Sequence, residues 1–199
     1  MNFQPNRFYH VYNQGNNRQP IYFSKHNYLY FLKKMSTLKN YCEILAYCLM
    51  QNHFHWLIKT KGLDDLEDIE SSKMNSHPQH SLVRCIANLL SSYTQAINKQ
   101  ENRSGSLFRS KTKSQKIDDP DYALICFLYI HQNPLRAGIC EDLAGWKFSS
   151  YRDYAGLRNG KLCNRELGIK NLELPSGVNE FVKMSNQTIP EEHIKQIYS

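Results

Sequence analysis

Hydrophobic and polar positions in the first third of the chain predict a strand, a helix and a β-hairpin. Phe8–Asn13 is rich in aromatic and β-branched residues, which favour strands. After Ser24, a good helix cap, apolar residues recur every three or four positions and predict an amphipathic helix. Cys42–Met50 and His53–Lys59 are separated by a two-residue polar turn, so we expect them to pair as an antiparallel hairpin.

The next stretch of the chain repeats part of this order. Ser81 begins a second amphipathic helical pattern, and Phe108–Ile117 is predicted to be a strand. Asp119 and Pro120 form a strong helix start. We expect this helix to end near Gln132, because Pro134 disfavours the helical conformation in the residue before it.

The order strand, helix, strand, strand, helix, strand, helix predicts an α+β protein with a ferredoxin-like antiparallel sheet and packed helices. The polar and acidic stretch Gly62–His80, which includes His77, is predicted to be a connection, with its two histidines exposed. After Gly156 the chain becomes polar, with weak helical patterns at Val178–Met184 and Glu191–Tyr198. We therefore expect one domain over residues 1–157 and a C-terminal extension over residues 158–199.

The chain is basic, with a formal net charge of +7 over 199 residues, and this favours a polyanionic partner such as nucleic acid. The clearest basic stretch contains Arg109, Lys111, Lys113 and Lys116 and no acidic residue. If Phe108–Ile117 is a strand, the first three of these side chains share a face that can follow a phosphate backbone. The alternative is a solvated edge strand that lysines protect from association. Arg18, in a polar loop after the first strand, is a further candidate for DNA contact.

Several features favour a cytoplasmic protein. The opening M-N-F-Q-P-N-R lacks the apolar stretch of a signal peptide, and no apolar run approaches the roughly 18 residues of a membrane span. The six cysteines include no C-x-x-C pair, so we expect reduced and mostly buried thiols.

The most distinctive residues are two histidines in the second strand of the predicted hairpin. Because side chains alternate along a strand, His53 and His55 point to one face, and Phe54, Trp56 and Ile58 point to the other. Neutral imidazole is the commonest metal ligand in proteins, so this pair can supply half of a metal site. A pair of structural or surface histidines is the alternative. Tyr129 lies in the last turns of a predicted helix and Asn133 is four residues further on, so the two side chains can lie on nearly the same face.

Several separate segments of the chain resemble segments of one known family and occur in the same order as in that family. They read F-Y-H-V-Y-N-Q-G-N-N-R, Y-C-L-M-Q-N-H-F-H-W-L-I, G-S-L-F-R-S-K, Y-I-H-Q-N-P-L-R-A-G and S-S-Y-R-D-Y. Together they span about residues 3 to 157 and resemble the single-tyrosine HUH transposases. Within that family, the REP-associated tyrosine transposases are the branch that the chain resembles most.

This resemblance implies cleavage and strand transfer of single-stranded or hairpin DNA through a 5′-phosphotyrosine intermediate. It implies Tyr129 as the nucleophile, located on the helix after the sheet, and His53, His55 and Asn133 as ligands of Mg²⁺ or Mn²⁺. The residues themselves leave alternatives open: Gln132 as the third ligand, and Tyr122, Tyr151 or Tyr154 as the nucleophile. Two other functions are a non-catalytic DNA-binding protein and a metal-dependent phosphoesterase that uses water. The choice between monomer and homodimer also stays open.

Overall fold

The structure is a computed structural model that describes residues 1–62 and 78–197. Residues 63–77 of the predicted connection, which include His77, lie outside these ranges. The strands are β1 (Phe8–Gln14), β2 (Cys42–Met50), β3 (His53–Thr60) and β4 (Lys113–Ile117). The helices are α1 (Lys25–Met35), α2 (Pro78–Gln100), α3 (Pro120–Arg136), α4 (Tyr151–Tyr154), α5 (Arg165–Asn171), α6 (Val178–Ser185) and α7 (Glu191–Ile197), with short 3-10 turns at Asn16–Arg18 and Ser36–Asn40.

The strands form one four-stranded sheet in the order β2-β3-β1-β4, and each neighbouring pair is antiparallel. In the β1–β3 pair, Tyr12 lies opposite His55 and Gln14 lies opposite His53. Residues opposite each other in an antiparallel pair point to the same face, so β1 and β3 together build the histidine face. The predicted antiparallel sheet with packed helices is confirmed.

Helices cover both faces of this sheet. On one face, the ring of Phe31 in α1 lies 5.6 Å from Phe54 and 6.0 Å from Trp56, and Tyr93 of α2 packs on Phe31. On the other face, Tyr129 of α3 packs edge-on against His55. The histidine face is therefore partly enclosed by α3, and His55 is only 1% exposed. Among the described helices, none combines the length and the apolar character that a membrane crossing requires.

The two longest helices have boundaries that differ from the sequence prediction. Helix α2 begins at Pro78 instead of Ser81, because proline suits the first turn of a helix, where its missing N–H needs no partner. Helix α3 continues through Pro134 to Arg136, since a proline so close to the end removes only one late hydrogen bond. Gly138, with φ of 66°, then ends the helix in the left-handed conformation.

Strand β4 is shorter than predicted and begins only at Lys113. Phe108 forms an isolated bridge to Gly15, and the backbone N–H of Arg109 donates to the carbonyl of Gln14. The side chain of Asn13 then donates to the carbonyl of Arg109 and to the hydroxyl of Thr112. These side-chain bonds replace the regular ladder and hold residues 109–112 as a loop at the end of β1.

The segment after α3, Gly145–Tyr154, packs back on the core. The N–H of Leu49 donates to the carbonyl of Phe148 at 2.9 Å, and the N–H of Ser150 donates to the carbonyl of Tyr47 at 2.9 Å. Arg158 donates to both carboxylate oxygens of Asp153, which is 1% exposed. The segment therefore lies along β2 and is held there by a largely buried ion pair.

Candidate metal and DNA-binding site

The turn before β3 and the loop after β1 are bonded to each other, and this sets the position of His53. The N–H of Gly15 donates to the carbonyl of Asn52 at 2.7 Å, and the Asn52 side-chain amide donates to the carbonyl of Arg18 at 3.1 Å. A Cβ at Gly15 would lie only 2.0 Å from the carbonyl oxygen of Gln19, so this close approach requires glycine. The loop thus determines which way the Asn52 amide points.

The oriented Asn52 amide selects one tautomer of His53. Nδ1 of His53 lies 2.6 Å from Oδ1 of Asn52, an atom that only accepts hydrogen bonds. Burial lowers the pKa of His53, with a smaller opposing effect of its bond to Asn133, so the ring is neutral at pH 7. The single ring proton therefore belongs on Nδ1, and Nε2 carries a lone pair.

Nε2 of His53 faces the end of α3, where it lies 3.3 Å from Oδ1 of Asn133. With the amide in this orientation two electron-rich atoms face each other. If the amide is turned round, its NH₂ group donates to Nε2 instead. In both orientations Nε2 is the lone-pair nitrogen, and Asn133 is the side chain that meets it.

His55 lies deeper in the same face and contacts a third histidine. Its Nδ1 is 2.8 Å from Nε2 of His10, and its ring lies 5.2 Å from that of His53 and 5.8 Å from that of Tyr129. Burial lowers the pKa of His55 well below 6.5, and the nearby His10 and His53 lower it further. His55 is therefore a neutral imidazole, the form that binds metal ions.

At the end of α3, the two amide side chains that the sequence left as alternative ligands have different partners. The Gln132 amide donates to the carbonyls of Ser185 and Gln187, at 2.9 and 2.8 Å, and so ties α3 to the end of α6. Asn133 instead faces His53. Tyr129, one turn earlier and 5% exposed, contacts His55. The structure therefore brings Tyr129, Asn133, His53 and His55 together and directs Gln132 elsewhere.

A pocket of about 350 Å³ opens beside the two histidines. It is lined by His53 and His55, by residues 12–14 of β1, and by Arg109, Lys111 and Lys113. Although residues 109–112 form a loop instead of a strand, the three cations still face the same space. The basic row and the histidine pair thus share one pocket, an arrangement that suits a phosphate group. Tyr129 and Asn133 lie beside the histidines and are not part of this pocket wall.

The other two candidate DNA contacts lie elsewhere. Lys116 lies opposite Tyr9 in β1, which places it on the other face of the sheet, and it pairs with Asp118 at 2.8 Å. It lines a second, larger groove of about 1170 Å³ between β4 and α2, which Arg109, Lys111 and Lys113 also border. Arg18 is exposed in the loop that packs against Asn52, close to the turn before His53.

The alternative tyrosines have other surroundings. The hydroxyl of Tyr154 donates to the carbonyl of Leu45 at 2.7 Å, a structural bond. Tyr151 is 3% exposed, and its ring lies near His131 and Phe181. Burial raises the pKa of Tyr122 to about 12. The ring of Tyr129, by contrast, packs edge-on against the candidate ligand His55.

Sequence reasoning missed three residues of this site: His10, Tyr12 and Asn52. His10 and Tyr12 alternate with the core residues of β1, and the ring of Tyr12 stacks on both His10 and His55. The alternation in Tyr9–Asn13 was a usable signal, but only the pairing of β1 with β3 shows that both side chains join the histidine face. Asn52 carried no sequence signal beyond its position in a turn.

The donor set fits a divalent cation. Two neutral imidazoles and one amide oxygen are ligands that Mn²⁺ accepts, whereas Mg²⁺ prefers oxygen. In residues 1–62 and 78–197 no group of three or more His, Cys, Asp or Glu side chains has metal-binding geometry. The candidate set therefore depends on the Asn133 amide as its third member.

Comparisons with known proteins bear on the fold. No protein-family model and no curated protein matches the sequence. Among solved structures, the chain is similar to a REP-associated tyrosine transposase, whose structure was determined bound to a REP hairpin. The TM-score is 0.56 at 19% sequence identity, and the match covers 79% of this chain and 85% of that chain. The chain therefore has the α+β fold of a tyrosine transposase, and the resemblance that the sequence segments indicated is confirmed at the level of fold.

Proposed function

We propose that this protein is a single-tyrosine transposase of the HUH type, which cleaves and transfers single-stranded or hairpin DNA. Residues 1–157 form the catalytic domain around a ferredoxin-like core, and residues 158–199 form a C-terminal extension. The main support for this proposal comes from the end of α3. There Tyr129 contacts His55 and Asn133 contacts His53, beside a pocket lined by three cations.

In the proposed reaction Arg109, Lys111 and Lys113 hold the DNA backbone in the pocket. The hydroxyl oxygen of Tyr129 bonds to the scissile phosphorus and loses its proton to solvent. The bond from phosphorus to the 3′ oxygen breaks, and the leaving strand takes up a proton to end in a 3′-OH. The protein retains the other strand as a 5′-phosphotyrosine. Mg²⁺ or Mn²⁺, held by His53, His55 and Asn133, supplies charge neutralisation on the phosphate oxygens when bound.

A non-catalytic DNA-binding protein of the same fold is the second candidate. It is favoured by the burial of Tyr129, which is 5% exposed, so that its side chain must open toward the pocket before it can attack a phosphate. Such a protein would bind hairpin DNA through the same basic pocket and leave it uncut.

A cleavage assay separates these functions. The protein is incubated with hairpin-bearing single-stranded oligonucleotides and Mn²⁺, and products are resolved on a denaturing gel. We expect cut strands and a covalent protein–DNA adduct with the wild type. Tyr129→Phe should bind DNA normally but lose both products, whereas Tyr122→Phe, a matched change on the same helix, should retain them.

The outcomes that contradict the proposal are specific. Binding without any cutting would favour the non-catalytic function. Cutting without an adduct would point to a phosphoesterase that uses water. An adduct that peptide mapping places at Tyr122, Tyr151 or Tyr154 would reassign the nucleophile. Undiminished cutting by a variant with both His53→Ala and His55→Ala would exclude these histidines as required ligands.

A further inference from the structure

The outer side of α1 presents aromatic rings that the proposed reaction does not use. Phe23, directly before the helix cap, is 42% exposed, and Tyr30 is 39% exposed. His26, between them, is also exposed. Positions 23, 26 and 30 follow the spacing i, i+3 and i+7, which places them along one side of a helix. We call these three residues the ring row, and a contiguous exposed row of this kind indicates an interaction surface.

Helix α2 holds both ends of the ring row in place. The backbone N–H of Phe23 donates to Oδ1 of Asn27 at 2.9 Å, and the Asn27 amide donates to Oε1 of Gln100 at 2.8 Å. The ring of Tyr30 lies 6.1 Å from that of Tyr93 and nearly parallel to it. Because these groups are already fixed, a ligand that binds to the ring row has little further ordering to impose.

The surroundings of the ring row favour a polyanion. The first 42 residues contain no Asp or Glu, and their Lys and Arg residues are Arg7, Arg18, Lys25, Lys33, Lys34 and Lys39. Nζ of Lys34 lies 4.8 Å from the centre of the Tyr30 ring. The sequence of α2 also has no acidic residue, although Glu101 directly follows it. A second copy of this chain would bring the same cations to this face, so like charges would oppose a dimer there.

The ring row begins beside the candidate metal site. The backbone N–H of Ile21 donates at 2.8 Å to the carbonyl of Gln51, which precedes His53 by two residues. Phe23 follows two residues after Ile21 in the chain, and the exposed Arg18 lies in the loop before it. A strand that leaves the pocket across this turn therefore passes Arg18 and then reaches Phe23.

We propose that the ring row is a base-stacking platform for single-stranded DNA, which continues the path of the strand out of the pocket. Exposed rings with cations between them bind single strands because bases stack on the rings and the cations meet the backbone. Seven residues of helix span about 10 Å, or about three nucleotides of a stacked strand. Every base has a π-face, so the platform has little sequence preference. The proposal deepens the proposed function and rests on it for the identity of the ligand.

The test measures binding of a labelled single-stranded oligonucleotide by fluorescence anisotropy, without divalent cations so that no strand is cut. Phe23→Ala and Tyr30→Ala should each raise the Kd about 5- to 150-fold. Their slope of log K against log salt should stay that of the wild type, because no phosphate contact is lost. Tyr30→Phe keeps the ring and should keep the affinity, whereas Tyr30→Leu should not. Leu29→Ala is the matched control, an exposed apolar side chain of the same helix without a ring, and should change the Kd by less than about twofold.

A double-mutant cycle identifies the stacked base. An abasic site placed at successive positions of the oligonucleotide should weaken wild-type binding at one position and have no effect there in Phe23→Ala. If an alanine variant does not fold, the comparison of Tyr30→Leu with Tyr30→Phe decides.

Several results would overturn the proposal. These are wild-type affinity in both alanine variants, an equal loss in Tyr30→Phe and Tyr30→Leu, and an equal loss in Leu29→Ala. Sedimentation that shows a dimer dissociated by Phe23→Ala would assign the face to a second copy instead. Ring variants that bind and cut DNA like the wild type would refute the platform and leave the proposed function intact, whereas a wild type that binds no DNA would refute both.

Discussion

The basic pocket makes a quantitative prediction about DNA binding. Arg109, Lys111 and Lys113 line the space beside His53 and His55, so the structure allows up to three phosphate contacts there. Each contact with a single strand contributes about 0.7 to the slope of log K against log salt. Replacing all three with alanine should therefore flatten the slope by about 2.1. The ratio of wild-type to variant affinity should then fall about fourfold with each doubling of the salt concentration.

The slope is measured by fluorescence anisotropy with a labelled hairpin-bearing oligonucleotide, between about 50 and 200 mM salt. Lys116→Ala is the matched control, since Lys116 pairs with Asp118 at 2.8 Å and lies on the opposite face of the sheet. We expect this control to keep the wild-type slope. An unchanged slope in the triple variant, or an equal change in the control, would show that the pocket cations do not contact phosphate.

Three further outcomes are expected. Arg158→Ala leaves the buried carboxylate of Asp153 without its partner and should lower the free energy of unfolding by about 3–5 kcal/mol in urea; a loss under about 1 kcal/mol would contradict this. Burial lowers the pKa of His131 to about 3, against 6.5 in the unfolded chain. Its contribution to the free energy of unfolding is therefore complete above pH 6.5 and is lost by about 1.4 kcal/mol per pH unit as the pH falls toward 3. In urea titrations, the free energy of unfolding of His131→Phe should depend correspondingly less on pH. Gln132→Ala should lower the free energy of unfolding by roughly 1–2 kcal/mol and keep the Mn²⁺ affinity. Asn133→Ala should keep the stability and lower the Mn²⁺ affinity, as measured in paired urea and Mn²⁺ titrations.

Much of the architecture could be predicted from local patterns. Strand β2 has the predicted bounds, β1 and β3 each extend one residue further, and Asp119 caps α3 as expected through its bond to the N–H of Asp121. The bounds of β4 were wrong because long-range bonds replaced a local rule. Strand β4 is shortened because the side chain of Asn13 bonds residues 109–112, which are distant in the chain.

The sequence by itself determined that His53 and His55 share one face of a strand, because the alternation of side chains is a local property of the backbone. It also predicted that Tyr129 and Asn133 lie on nearly the same face, because helical spacing is equally local, although the helix continues past its predicted end near Gln132 to Arg136. Only the tertiary structure decided that these two faces meet, that Gln132 faces the C-terminal extension, and that His10 and Asn52 contact the two candidate ligands. Those outcomes depend on strand pairing and on hydrogen bonds between segments far apart in the chain, which no local pattern encodes.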